Sequence, residues 1–345
     1  MKQGMYTSRS ETQNRTVLAD VIPLDTPYAF GFFIGDVCNF RCKYCIQSVA
    51  QGAEGALNEH KGVEQLVRHF MSWETFLRAA EQLKRFPQRL KKILFSSIGE
   101  PLLHPRLPEM IAYLRDCDAA TDYELVTNAS LLTPELSRAL IEAGLTRLCV
   151  SVQGMTEEKY KSICDYTVDM KRFVENLHYF FEYGRGKCRL HIKTVDIALA
   201  EGEEKVFLSV FGKISDTIHV DHVFPVYQDV DYYFLEDQAH GLFAEKQRSV
   251  GVCSLLFYTL YMNPNGEIIP CCIVPYPLSY GNIHHDDLVS VWNGSRRRTF
   301  LMMQLKEKRY AHPVCRACVH PDATVFSEDC LDGAVENILK RMNKM

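Results

Sequence analysis

The chain has 345 residues, a formal net charge of −4 and a pI near 6.3, with 47% hydrophobic and 24% charged residues. That balance is ordinary for a soluble globular protein and leaves no basic footprint for nucleic acid. The N-terminal stretch lacks an apolar signal-peptide core and no window approaches a membrane span, so a cytoplasmic, reducing setting is expected, where thirteen cysteines point to metal or redox chemistry rather than disulfides.

Short runs rich in aromatic and β-branched residues predict buried parallel strands at 28–36, 93–98, 122–129, 145–153, 189–198 and 217–225. Helical patterns separate them at 73–86, 106–117, 134–143, 156–164, 170–183 and 203–212. Ser72 is placed to cap the first, and Thr133-Pro134 opens the third with a capping hydroxyl followed by proline at the first helical position. This alternation predicts an α/β fold, an open partial (β/α)6 barrel around a parallel sheet. Beyond residue 245 prolines cluster at 270–277, helical periodicity returns at 296–306 and 332–343, and six of the thirteen cysteines follow. The expected organisation is an N-terminal extension over 1–27, a barrel core over 28–240 and a smaller cysteine-rich domain over 245–345 ending in a helix.

"GDVCNFRCKYCIQS" places Cys38, Cys42 and Cys45 directly after the first strand. In βα barrels the C-terminal ends of strands carry the chemistry. Thiols at these spacings rarely meet disulfide geometry, whereas thiolates bind iron–sulfur clusters. Three ligands leave one iron open to a small molecule, as in any catalytic metal site. A zinc site would need a fourth ligand, and 46–58 contains no His or Cys.

This loop, with an aromatic before its last cysteine, resembles the signature of the radical S-adenosylmethionine (radical SAM) superfamily. The resemblance implies that Cys38, Cys42 and Cys45 hold a [4Fe–4S] cluster, that S-adenosyl-L-methionine (SAM) chelates its fourth iron, and that Tyr44 lies near the adenine. Reduction by a flavodoxin- or ferredoxin-type donor would then cleave SAM to a 5′-deoxyadenosyl radical. "SSIGEPLLHP" resembles the family's Gly-Gly-Glu-Pro segment through Gly99, Glu100 and Pro101, with Ile98 where the first glycine often stands. Thr127 and Asn128 of "VTNAS", and Ser151 and Gln153 of "SVQG", stand where relatives contact the ribose and methionine of SAM.

The second cysteine set is Cys253, Cys271, Cys315 and Cys318. "YMNPNGEIIPCC" reads as a hairpin turning at Asn265-Gly266, which brings Cys253 and Cys271 toward one site. Four thiolates suffice for a zinc ion or a complete [4Fe–4S] cluster. The spacing resembles the SPASM/twitch extension of radical SAM enzymes in its shorter, twitch form, which implies one auxiliary [4Fe–4S] cluster on these four residues. Cys272 and Cys330 are read as thiols outside that set, and Cys117, Cys149, Cys164 and Cys188 as small core residues.

An auxiliary cluster with every iron protein-ligated suits electron acceptance. With the resemblance to twitch enzymes of the 2-deoxy-scyllo-inosamine dehydrogenase type, this implies dehydrogenation of a small polar substrate, a sugar or cyclitol alcohol. Lys193, Asp196, Asp221, His222, Asp229 and Asp231 lie late enough in the barrel to serve the mouth, with Asp221, His222 and Lys193 the principal catalytic candidates. Maturation of a ribosomal peptide is the main rival, although few residues precede the first strand compared with a leader-binding module. A redox-neutral epimerase and a non-catalytic zinc or iron–sulfur protein complete the alternatives.

Overall fold

The computed structural model describes residues 5–6, 15–50, 61–96, 98–236 and 238–344. Among these, the strands are β1 (Met5–Tyr6), β2 (Ala29–Phe32), β3 (Leu90–Phe95), β4 (Ala120–Thr127), β5 (Arg147–Val152), β6 (Arg189–Val195), β7 (Thr217–Asp221), β8 (Thr259–Met262), β9 (Glu267–Ile269) and β10 (Gly281–Asn282). They form one sheet in the order β1-β7-β6-β5-β4-β3-β2-β8-β9-β10. From β2 to β7 every neighbour is parallel, and the two ends of the sheet do not pair with each other among the described residues. The predicted open α/β barrel is the architecture observed.

Helices Trp73–Leu83, Leu107–Asp116, Pro134–Glu142, Glu157–Cys164, Met170–Gly184 and Glu203–Phe211 follow the strands in turn. Ser72, Thr133, Thr156 and Asp169 each cap the following helix with a side-chain oxygen that accepts a backbone N–H of its first turn. One face of the strands packs on these helices through Phe30, Phe95, Leu125, Leu148, Val150 and Ile192. The opposite face differs from the buried strands that the sequence suggested. There Lys92 Nζ donates to Glu124 Oε2 at 2.7 Å, and Arg147 Nε lies 3.8 Å from the same oxygen. An unclosed barrel leaves this concave face wet, so it alternates with the buried one instead of matching it.

The cysteine-rich region continues the barrel sheet. β8 lies parallel to β2 with Gly31 opposite Tyr261, and β9 returns antiparallel. A Cβ on Gly31 would lie 2.2 Å from Tyr261 Cδ1, so only glycine admits that ring. In the hairpin turn, Asn263 Oδ1 accepts from the N–H groups of Asn265 and Glu267, and Gly266 takes φ +81°. The turn is therefore a four-residue loop closed by Asn263, longer than the two-residue Asn-Gly reading. Short helices absent from the sequence reading, Leu288–Asn293 among them, add the clamps: Leu288 N donates to Gln82 Oε1 at 2.7 Å, and Trp292 Nε1 to Leu24 O at 2.8 Å.

Candidate active site

The three-cysteine loop leaves β2 and lies on the C-terminal end of helix Glu157–Cys164. Arg41 N donates to Cys164 O at 2.8 Å and Lys43 N to Ile163 O at 2.9 Å. From the other side Gln47 Nε2 donates to Asp36 O and Ile98 O, and Glu100 N to Val37 O. Gly99 is the tightest point of this packing. A Cβ there would lie 2.4 Å from Val37 O and 2.7 Å from Gly35 O, so its glycine serves the approach of the cysteine loop.

Within the loop the thiols of Cys38, Cys42 and Cys45 are near enough to interact electrostatically. Burial pushes the Cys38 thiol up to about 12 and raises Cys45. A hydrogen bond with Cys164, joined by burial, holds Cys42 well above the ordinary thiol range. The metal-free loop is thus protonated, and any metal it takes must displace those protons. Cys164, read from sequence as a core residue, is buried and also touches the loop through Cys42.

Glu100 is 3% exposed, and its carboxylate accepts from Thr127 Oγ1 at 2.6 Å, Asn128 N at 2.8 Å and Leu102 N at 2.9 Å. Burial raises its pKa to about 6 despite these bonds. Pro101 opens the single 3-10 turn that follows. Thr127 is committed to Glu100 and to Ala129 N, while Asn128 joins Asn39 and Ser130, two residues the sequence reading missed. These groups bind one another into a shelf beside the cysteine loop.

A cavity of about 220 Å³ lies next to that loop. It is lined by Tyr44 and Cys45, by Ser151 of β5 and Gln153 just after it, by Lys193 of β6 and Asp221 of β7, and by His222 just beyond β7, with an apolar wall that includes Phe224 and Tyr227. Tyr44 OH donates to Gln153 Oε1 at 2.6 Å, and Tyr232 OH donates to Tyr44 O at 3.0 Å. Lys193 Nζ donates to Asp221 Oδ2 at 2.5 Å. Burial alone would lower the Lys193 ammonium, but Asp221 beside it, joined by Cys149 and Glu124, offsets that and holds its pKa above the ordinary lysine value. His222 Nδ1 pairs with Asp196 Oδ2, and its Nε2 is buried with no hydrogen-bond partner among the described residues.

Two further sequence candidates stand elsewhere. Asp229 Oδ2 accepts from Gly62 N at 2.7 Å and Val63 N at 3.1 Å, a capping role that occupies the carboxylate. Asp231 Oδ1 accepts from Tyr233 N in an exposed turn. Neither lines the cavity.

Cys253, Cys271, Cys315 and Cys318 line a second, mostly apolar cavity together with Leu256, Val274 and Pro321. Cys272 is outside that lining and hydrogen-bonds with Tyr261, and Cys330 is exposed. Burial raises all four lining thiols, Cys315 to about 12, with Cys318 contributing to the rise in the other three. Among the described residues no three His, Cys, Asp or Glu side chains gather for a single metal ion. Two thiol-rich regions, one of three cysteines of which Cys45 borders a cavity and one of four, offer donor sets suited to iron–sulfur clusters.

Comparison with known proteins agrees on both regions. The radical SAM superfamily model matches residues 32–199, and that of an iron–sulfur cluster-binding domain, SPASM, matches 253–319. The chain belongs to the radical SAM superfamily. Membership implies a [4Fe–4S] cluster used with SAM, and the SPASM match an auxiliary iron–sulfur centre. A tungsten-containing aldehyde ferredoxin oxidoreductase cofactor-modifying protein of Pyrococcus furiosus is 24% identical over 84% of this chain and 86% of its own. Two solved structures share the fold. BtrN in complex with AdoMet and 2-DOIA has 17% identity and a TM-score of 0.52, over 84% of this chain and 92% of its own. Streptococcus suis SuiB bound to precursor peptide SuiA has 15% identity and a TM-score of 0.60, over 88% and 72%. No helix among the described residues is long and apolar enough to cross a membrane.

Proposed function

We propose that this radical SAM enzyme is an oxidoreductase that dehydrogenates a carbinol of a small polar substrate, sugar- or cyclitol-like, in the cavity beside the cysteine loop. The observation that carries the reading is that one space of about 220 Å³ borders Tyr44 and Cys45 on one side and Lys193, Asp221 and His222 on the other. When bound at Cys38, Cys42 and Cys45, a [4Fe–4S] cluster with SAM supplies a 5′-deoxyadenosyl radical, and a second [4Fe–4S] cluster at Cys253, Cys271, Cys315 and Cys318 supplies an electron acceptor.

The chain's own groups then do the following. Gln153 holds the Tyr44 hydroxyl and so fixes the ring on the side of the cavity where SAM would bind. Ser151 offers a hydroxyl to the same ligand. The Gly99-Glu100-Pro101 segment with Thr127 and Asn128 sets the height of the cysteine loop against the SAM-binding side. Asp196 can only accept, so it keeps the proton on His222 Nδ1 and leaves Nε2 to take the hydroxyl proton of a substrate radical. Lys193 stays an ammonium beside Asp221 and steadies charge that develops on the oxygen. Loss of a hydrogen atom, a proton and one electron turns the carbinol into a carbonyl.

The partners of this reading are a small molecule and a flavodoxin- or ferredoxin-type donor. The Pyrococcus furiosus relative is named for modifying a cofactor, not a peptide. The test offers the reconstituted enzyme alcohols deuterated at the carbinol carbon. Deuterium in 5′-deoxyadenosine with a product two hydrogens lighter supports dehydrogenation. A product of unchanged mass indicates an epimerase, and turnover only of a peptide overturns the substrate class.

A further inference from the structure

We propose that Arg309 is the residue that tunes the auxiliary centre for electron acceptance, as a buried cation that also positions the Cys315-x-x-Cys318 turn. The inference rests on the reading of Cys253, Cys271, Cys315 and Cys318 as that centre.

Arg309 follows helix Ser295–Glu307 and is 2% exposed. Its guanidinium uses every nitrogen. Nε donates to Val250 O at 2.7 Å, Nη1 donates to Cys315 O at 2.8 Å and to Cys318 O, and Nη2 donates to Asp322 Oδ2. One planar fork thus spans both cysteines of the pair through their carbonyls, a geometry that a lysine ammonium does not reproduce. Arg309 also lines the cavity that those two cysteines share with Cys253 and Cys271.

The rest of that lining is apolar apart from the Gln228 amide and the His320 ring. Among the described residues Arg309 is the only Arg, Lys, Asp or Glu side chain in the lining. Its counter-ion, Asp322, is outside that lining, and its carboxylate also accepts from Val250 N at 2.8 Å. Of the two charges, the guanidinium is the one that borders the space shared by the four thiols, held there by the carbonyls of Cys315 and Cys318.

Four thiolates make an iron–sulfur centre negative, and taking up an electron makes it more so. A cation fixed in a low-dielectric wall favours that reduced state and raises the potential, which depends on net charge, hydrogen bonding and exposure. In the proposed reaction the electron comes from the substrate radical, and the accompanying proton goes to His222.

The experiment is an EPR-monitored redox titration of reconstituted wild type, Arg309→Lys, Arg309→Gln and Asp322→Asn, with iron and sulfide measured on each and Cys271→Ala identifying the auxiliary signal. Arg309→Gln should make reduction of the auxiliary centre at least tenfold less favourable, a shift of about 59 mV to lower potential for a one-electron couple. Arg309→Lys should fall nearer wild type, and Asp322→Asn should move the potential upward. The signal of the Cys38 loop should stay put in all three. Unmoved potentials, or shifts of the same sign in Arg309→Gln and Asp322→Asn, overturn the proposal. If Arg309→Gln retains no iron at this centre, the direction of Asp322→Asn decides. Wild type without a signal that Cys271→Ala removes shows instead that the assignment of the centre has failed, and the role of Arg309 falls with it.

Discussion

The two cysteine regions are built on opposite principles. Cys38, Cys42 and Cys45 lie on a loop held by backbone hydrogen bonds, and the third borders an open cavity shared with Lys193, Asp221 and His222. Cys253, Cys271, Cys315 and Cys318 enclose a small space walled by Leu256, Val274 and Pro321, with the buried Arg309 guanidinium as the only Arg, Lys, Asp or Glu group in the lining among the described residues. Three ligands with an opening suit a centre that binds a small molecule, and four in a closed apolar wall suit one that only exchanges electrons. The difference lies in the ligand count and in what surrounds the sulfurs.

Removing ligands gives the strongest test of that contrast. The Cys38→Ala/Cys42→Ala/Cys45→Ala variant should lose SAM cleavage below detection and about half of the iron and sulfide of the wild type, on the expectation of one four-iron cluster per site. Cys315→Ala or Cys318→Ala should lose the other half and still form 5′-deoxyadenosine. Iron analysis with chromatography of the SAM products reads both. Equal loss of SAM cleavage in the two sets would show that the regions do not divide the work.

Gly99→Ala probes how the open site is held. Its Cβ meets the carbonyls of Val37 and Gly35, which are backbone and have no side chain to swing away. The loop must move, at a cost of about 1–3 kcal/mol as for overpacking elsewhere. Thermal unfolding should show the loss, and iron analysis should find the Cys38 centre under-filled while the auxiliary one is intact. Gly31→Ala, which strikes the Tyr261 ring, should reverse that pattern by disturbing the junction of β2 and β8. The closed site has its own finer test. Cys271 lines the cavity and Cys272 does not, so Cys271→Ala should lose the auxiliary cluster and Cys272→Ala should keep it.

Much of this was legible in the sequence because it depends on spacing along the chain. The six strand–helix units, the Thr133-Pro134 start and the cysteine spacings all declare themselves locally. What was not legible depends on register and long-range closure. Lys193 meets Asp221 because β6 and β7 pair with Lys193 opposite His219, and no local pattern gives that register. Asp229 resembled a site carboxylate because its partners, the amides of Gly62 and Val63, lie far away in sequence. Asn39, Ser130 and Arg309 carry no local signal either, since each acts through contacts made only once the strand ends and the cysteine-rich region have met.

The smallest expected effect separates the two sides from which the open loop is held at Tyr44. Its hydroxyl donates to Gln153 Oε1 on the barrel side, while its carbonyl accepts from Tyr232 OH on the side of the segment that covers the cavity. Both bonds are part-buried, and deleting either hydroxyl removes about 1 kcal/mol of net hydrogen bonding. The consequences differ by geometry. Tyr44→Phe keeps the ring but frees it from Gln153, so the KM for SAM should rise roughly fivefold, the equivalent of that energy, alongside a loss of stability of about 1 kcal/mol. Tyr232→Phe leaves the Tyr44 ring in place but orphans a carbonyl of the loop and also removes the acceptor of Tyr227 N. It should lower stability by a comparable amount and leave the KM for SAM close to wild type. If Tyr232→Phe instead raises that KM as much as Tyr44→Phe does, the covering segment is part of the SAM site, and the boundary between cofactor side and substrate side must be drawn further along the cavity.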